Sequence, residues 1–184
     1  MTNVLTRFRA AGVLIATLAA GLFASAPAQA GSSAGTIGVS LTVTAACAVN
    51  AATSVAATIG QLGSISFASQ PGIFSNTDAA MVATGGGSGI SVLCSPGLTP
   101  TFTVGAGAND DSTFHYLASN GSKVAYHLYS DAGRTSEITI GQVLNLGTAT
   151  STAFNVPIYG RVSSNGAALP AGNYTDTVQV TLAW

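Results

Sequence analysis

The chain has 184 residues, 47% of them hydrophobic and only 6% charged, with a formal net charge of −1 at pH 7. Setting aside Arg7 and Arg9 in the N-terminal leader, three cations (Lys123, Arg134 and Arg161) stand against six carboxylates, a net of −3, and no basic stripe exists to neutralise phosphates. A composition dominated by Ala, Gly, Ser, Thr and Val, poor in Glu, Lys and Leu, speaks against amphipathic helices and for an all-β chain with a neutral, hydroxyl-rich surface.

Residues 1–30 carry the marks of a cleavable secretion signal: Arg7 and Arg9 as a positive n-region, Val13 to Phe23 as an apolar h-region, and Ala28-Gln29-Ala30 as the cleavage site. The apolar run is shorter than the roughly 20 residues that span a bilayer. The remaining chain, 31–184, suits a single domain with its own core. Export places Cys47 and Cys94, the two cysteines, in an oxidising compartment, where a disulfide is the default. A redox or nucleophilic role would call for CxxC spacing or an activating histidine nearby, and neither is seen.

Residues 31–35 (GSSAG) read as a flexible tether. Behind it, in GTIGVSLTV, the apolar residues Ile37, Val39, Leu41 and Val43 fall on every second position, which gives an extended chain one wholly apolar face. Nothing directly before this stretch can pair with it as a hairpin. The expectation is therefore a strand, about 35–43, donated to a neighbouring subunit.

Beyond Cys47, strands are expected near Ser54 to Ile59 and Ser64 to Phe67. Ala68 to Gly89 reads as a loop region with a short strand at Ala80 to Thr84. Ile90 to Cys94 and Thr101 to Val104 follow as strands, then a loop over Gly105 to Ser112 and a tight hairpin turn at Asn120-Gly121. In KVAYHLYS, Val124, Tyr126 and Leu128 alternate with Ala125, His127 and Tyr129, so the first three should face inward and His127 outward. Glu137 to Leu146 holds one or two short strands around Gly141. Phe154, Val156, Ile158 and Val162 define another inward face, on which Pro157 suggests an edge or a bulge. Asn165-Gly166 and Pro170-Ala171-Gly172 form the last turns, and in NYTDTVQVTLAW the residues Tyr174, Val178, Val180, Leu182 and Trp184 share one face.

Short strands at turn-punctuated intervals point to an immunoglobulin-like β-sandwich. A seven-stranded sandwich needs a final strand after the one ending at Trp184, and none follows. The fold expected is an incomplete sandwich whose open edge must be covered.

Candidate chemistry is thin. The run Gly85-Gly86-Gly87-Ser88-Gly89 is followed by no Gly-Lys-Ser/Thr, and a nucleophile elbow at Ser88 would need glycine where Ile90 stands. His115 and His127 have no His, Asp or Glu at ligand spacing on a shared face. Asp110 and Asp111 lack the D-x-D-x-D-G calcium pattern. The carboxylates show no pairing of the kind a glycosidase needs, and Asp176 reads as the partner in a structural hydrogen bond or ion pair. No enzyme, cofactor or metal is expected.

The segments GTIGVSLTVTAAC, KVAYHLYSDAGRT and FNVPIYGRV, together with the tail G-x-Y-x-D-x-V-x-V-x-L ending in an aromatic residue (Gly172 to Trp184), resemble the spore coat protein U domain family. That family includes the pilin subunits of archaic (Csu-type) chaperone-usher pili. The resemblance implies an incomplete immunoglobulin-like pilin domain over 47–184, with the donor strand in an extension over 31–46. It also implies a groove filled first by a periplasmic chaperone and then, at an outer-membrane usher, by the next subunit's N-terminal strand. Ile37, Val39, Leu41 and Val43 would be the plugs, and the strand bearing Tyr174, Val178, Val180, Leu182 and Trp184 the groove edge. The expected product is a homopolymer, or a fibre with neighbouring pilins, exported through the periplasm to the cell surface for adhesion and biofilm formation, with no nucleic-acid or small-molecule partner. A free-standing lectin-like sandwich and a spore or cell-coat protein are the alternatives.

Overall fold

The computed structural model describes residues 31–52 and 59–184. The expected signal peptide and all but Ile59 of the expected strand at Ser54 to Ile59 lie outside them. The chain divides into two parts at Leu41/Thr42. In the first, residues 31–41 carry no regular secondary structure and are exposed, Ile37 at 90%, Val39 at 91% and Leu41 at 86%.

The second part is all-β among the described residues and forms a sandwich of antiparallel sheets. One sheet orders β1 (Cys47–Val49), β4 (Ile90–Cys94) and β10 (Phe154–Val156) as β1-β4-β10. The largest contains β2 (Gly63–Ile65), β3 (Thr77–Ala83), β11 (Tyr159–Val162), β7 (Ser122–Tyr129) and β6 (His115–Ser119), in that spatial order. The two-residue β8 (Glu137–Ile138) joins β7 at Leu128 and Tyr129, beyond the stretch that β6 covers. The third sheet orders β12 (Val178–Ala183), β5 (Thr101–Gly107) and β9 (Gln142–Asn145) as β12-β5-β9.

The period-2 pattern decides which side chains go inside. On β7, Val124, Tyr126 and Leu128 are buried while Lys123, Ala125, His127 and Tyr129 are not, as the alternation requires. Phe102 and Val104 on β5 and Ile90 and Val92 on β4 are buried in the same way and join them in one core. The turn at Asn120-Gly121 has φ of 47° and 83°, the left-handed pair that a two-residue hairpin needs. Asn165-Gly166 has the same signature, at 49° and 81°.

Several elements depart from expectation. β3 starts at Thr77 inside the stretch expected to be mostly loop, because Ala79, Met81 and Ala83 alternate inward even though the residues are small. β5 runs on to Gly107, where Gly105 packs against Gln179 of β12. β6 had no expected counterpart, its inward residue being a histidine that hydropathy does not flag. Phe154 is only half-buried, and Trp184 is exposed, so the inward face of the last strand ends at Leu182. Pro157 marks neither a simple edge nor a bulge. The chain leaves the first sheet at Val156 and enters the largest at Tyr159, and Pro157 sits at the crossing, where a missing N–H costs no ladder bond.

Candidate functional site: an open groove between β2 and β12

Two strands of the sandwich have a free flank and line the same depression. Among the described residues β2 pairs with β3 alone and β12 with β5 alone. Between Gly63–Phe67 on one side and Asp176–Val180 on the other lies a groove of about 600 Å³, floored by Met81, Ile90, Val104, Tyr126, Leu128 and Ile158. It adjoins a second depression of about 710 Å³, and the two share Ile65, Phe67, Leu117 and Asp176. The second is floored by Val124 and Val162 and closed off by Phe74, Leu169 and Tyr174.

The walls explain a pattern that hydropathy alone would not. Val178, Val180 and Leu182 take the inward positions of β12, with Tyr174 in the segment before it, yet they are half-buried, as are Ile65, Phe67 and Leu117 opposite them. They pack against the core on one side and lack cover on the other. Apolar surface left open in this way, beside backbone N–H and C=O groups with no ladder partner, is what an added strand would satisfy. Gly160 makes the β2 wall possible, since a Cβ there would come within 2.8 Å of the Phe67 ring and 3.0 Å of Ile65.

At the boundary of the two depressions sits one polar network. The Tyr126 hydroxyl donates to Asp176 Oδ2 at 2.7 Å, and Asn109 donates to Asp176 Oδ1 from its backbone N–H at 3.1 Å and its side chain at 3.0 Å. This ties the segment leading into β12 to β7 of the opposite sheet. Burial above all, and then the hydrogen bond to Asp176, pushes the Tyr126 phenol well above its ordinary range. Next to it, His115 Nδ1 lies 2.7 Å from Asp110 Oδ2, which also accepts the Gly107 N–H, while Tyr116 N–H donates to Asp110 Oδ1 at 3.2 Å. His115 is 4% exposed, stacks on Tyr126 with ring centroids 5.3 Å apart, and leaves Nε2 buried without a partner among the described residues. Linear spacing gives the histidines no acidic neighbour on a shared face. The fold supplies one to each: Asp110 to His115, and Glu137 to His127, with Oε1 2.6 Å from Nδ1. β6 and the loop before it carry His115 back over Asp110, a juxtaposition that linear spacing does not display.

Among the described residues, Asp110, His115 and Asp176 are the group that could hold a metal ion, offering ligand atoms within 4.8 Å of one another. All four carboxylate oxygens already accept N–H or O–H bonds from the protein, so the cluster works as a structural network. The disulfide joins Cys47 to Cys94, directly paired residues of β1 and β4. Of the expected plug residues, Val43 is exposed like Ile37, Val39 and Leu41.

A family model described as the Spore Coat Protein U domain matches residues 33–181. The chain belongs to the spore coat protein U domain family. Membership places it among structural coat and surface-fibre proteins. The match begins at Ser33 and so includes the exposed apolar segment at 37–43. Among curated proteins none matches the chain. No helix of the described residues is long and apolar enough to cross a membrane.

Proposed function

We infer that this protein is a structural subunit of a surface fibre assembled by donor-strand complementation, as in archaic chaperone-usher pili. Residues 37–43 of one copy enter the β2/β12 groove of the next. The observation that carries the reading is a matched pair within one family domain: an open apolar groove with edge strands for walls, and a segment whose alternate apolar side chains are almost fully exposed. An inserted strand would use the free backbone groups of the walls for affinity and set Ile37, Val39, Leu41 and Val43 into the groove at a period of two. Burying four aliphatic side chains contributes on the order of 10 kcal/mol before ordering costs.

Before assembly the same groove needs a substitute strand, the role a periplasmic chaperone fills. An outer-membrane usher then exchanges that strand for the next subunit's. The mature charge is low, so copies repel one another little. Adhesion and biofilm formation are the functions such a fibre serves at the cell surface.

The deciding experiment is gel electrophoresis of surface-sheared material, unboiled against boiled, for wild type and for a deletion of residues 35–43. A ladder of multimers that collapses on boiling and is missing from the deletion is expected. A lone monomer band in both would replace the reading with a free-standing binding module.

A further inference from the structure

We propose that the Cys47–Cys94 bridge is the mechanical anchor of the fibre: tension arriving through the N-terminal segment passes at Cys47 directly to β4, and residues 48–93 cannot be drawn out as extended chain. The inference rests on the donor-strand reading above. In such a polymer each subunit is pulled by its own residues 37–43, seated in a neighbour, and pulled in the opposite sense at its groove walls.

The first strand that tension meets is β1, and its non-covalent hold is slight. β1 has three residues and, among the described residues, pairs with β4 alone. Just before it, Ser95 N–H donates to Ala46 O at 2.8 Å and Ala46 N–H donates to Ser95 Oγ at 3.1 Å. Just after it, Asn50 N–H donates to Ser91 O at 2.8 Å and Ser91 N–H donates to Asn50 Oδ1 at 3.0 Å. An edge strand pulled from its first residue loses such bonds one after another, and each is weak by itself. The disulfide occupies the first rung of the ladder, Cys47 opposite Cys94, so once the Ala46–Ser95 bonds give way peeling stops there.

The receiving strand is the best held in its sheet. β4 has β1 on one flank and β10 on the other, and its Ile90 and Val92 are 1% and 0% exposed. The covalent loop from Cys47 to Cys94 also encloses β2 and β3. One wall of the groove that grips the next donor strand therefore lies inside a segment that cannot be drawn out while the bridge is intact.

Stretching single sheared fibres in a force spectrometer tests this, once the heat-sensitive ladder has established that donor-strand fibres exist. Oxidised fibres should extend without releasing residues 48–93. Fibres of the Cys47→Ser/Cys94→Ser variant, and wild-type fibres opened by a thiol reductant, should yield at lower force. Each yielding subunit should then add about 160 Å of contour length, from a sequence separation of 47 at roughly 3.3–3.6 Å per residue. Equal force and step length in oxidised, reduced and double-serine fibres would overturn the proposal and leave the donor-strand reading standing. Absence of the ladder would remove both. If the double-serine subunit does not assemble, the reduced wild-type fibres decide.

Discussion

Asp176 is the one carboxylate placed among the apolar inward residues of the last strand, and what makes it tolerable is the set of donors converging on it. Tyr126→Phe keeps the ring that stacks on His115 but leaves Asp176 Oδ2 without its donor. The expected cost is about 1–3 kcal/mol in denaturant unfolding of the subunit with its groove filled. The pH dependence follows from the raised phenol. The folded state keeps a proton that the unfolded state gives up above its ordinary pKa of 10.0. Stability from Tyr126 is thus complete below pH 10 and declines as pH rises beyond it, by up to about 1.4 kcal/mol per pH unit. Unfolding midpoints followed from pH 8 to 11 should fall less steeply in Tyr126→Phe. Parallel alkaline limbs in the two proteins would count against the tie.

At the scale of elements, the hairpin β6-turn-β7 presents both His115 and Tyr126, and its register depends on the left-handed pair Asn120-Gly121. Asn120→Ala places an ordinary side chain at a φ of 47° and is expected to lower stability by roughly 1 kcal/mol, read as a shift in urea midpoint. An unchanged midpoint would mean the turn has relaxed to another type. The exposed segment offers the complementary test. Leu41→Asp alters no buried contact, since Leu41 is 86% exposed, yet it would drive a charge into an apolar groove in the next copy. Folded, chaperone-bound subunit at wild-type yield together with loss of the multimer ladder is the expected result. Normal fibres from this variant would dismiss residues 37–43 as the inserted strand.

For the molecule as a whole, the open groove removes part of the apolar burial a sandwich of this size would otherwise have, and the disulfide offsets some of that deficit. Closing a loop of sequence separation 47 is worth about 4 kcal/mol in the chain-entropy account. Cys47→Ser should therefore reduce the periplasmic yield of subunit and lower its thermal midpoint, measured on the chaperone-bound form. Wild-type yield and melting would show that the sandwich holds β1 without the bridge.

The local pattern was enough for the elements that alternate strongly. β4 has the bounds the sequence suggests, the inward triad of β7 is as read, and the Asn-Gly turns carry their signal in two residues because few other pairs tolerate that backbone. The cysteine pair and the family resemblance were legible for the same reason: both depend on residue type and spacing. The polar network and the groove were not. Asp110, His115, Tyr126 and Asp176 are distributed over 67 positions and meet only because β6 folds back on β7 and the last strand crosses to join them. Hydropathy shows that Val178, Val180 and Leu182 face inward. It cannot show that their inward side is uncovered, because the free flanks of β2 and β12 are set by which strands pair, a property of the tertiary structure alone.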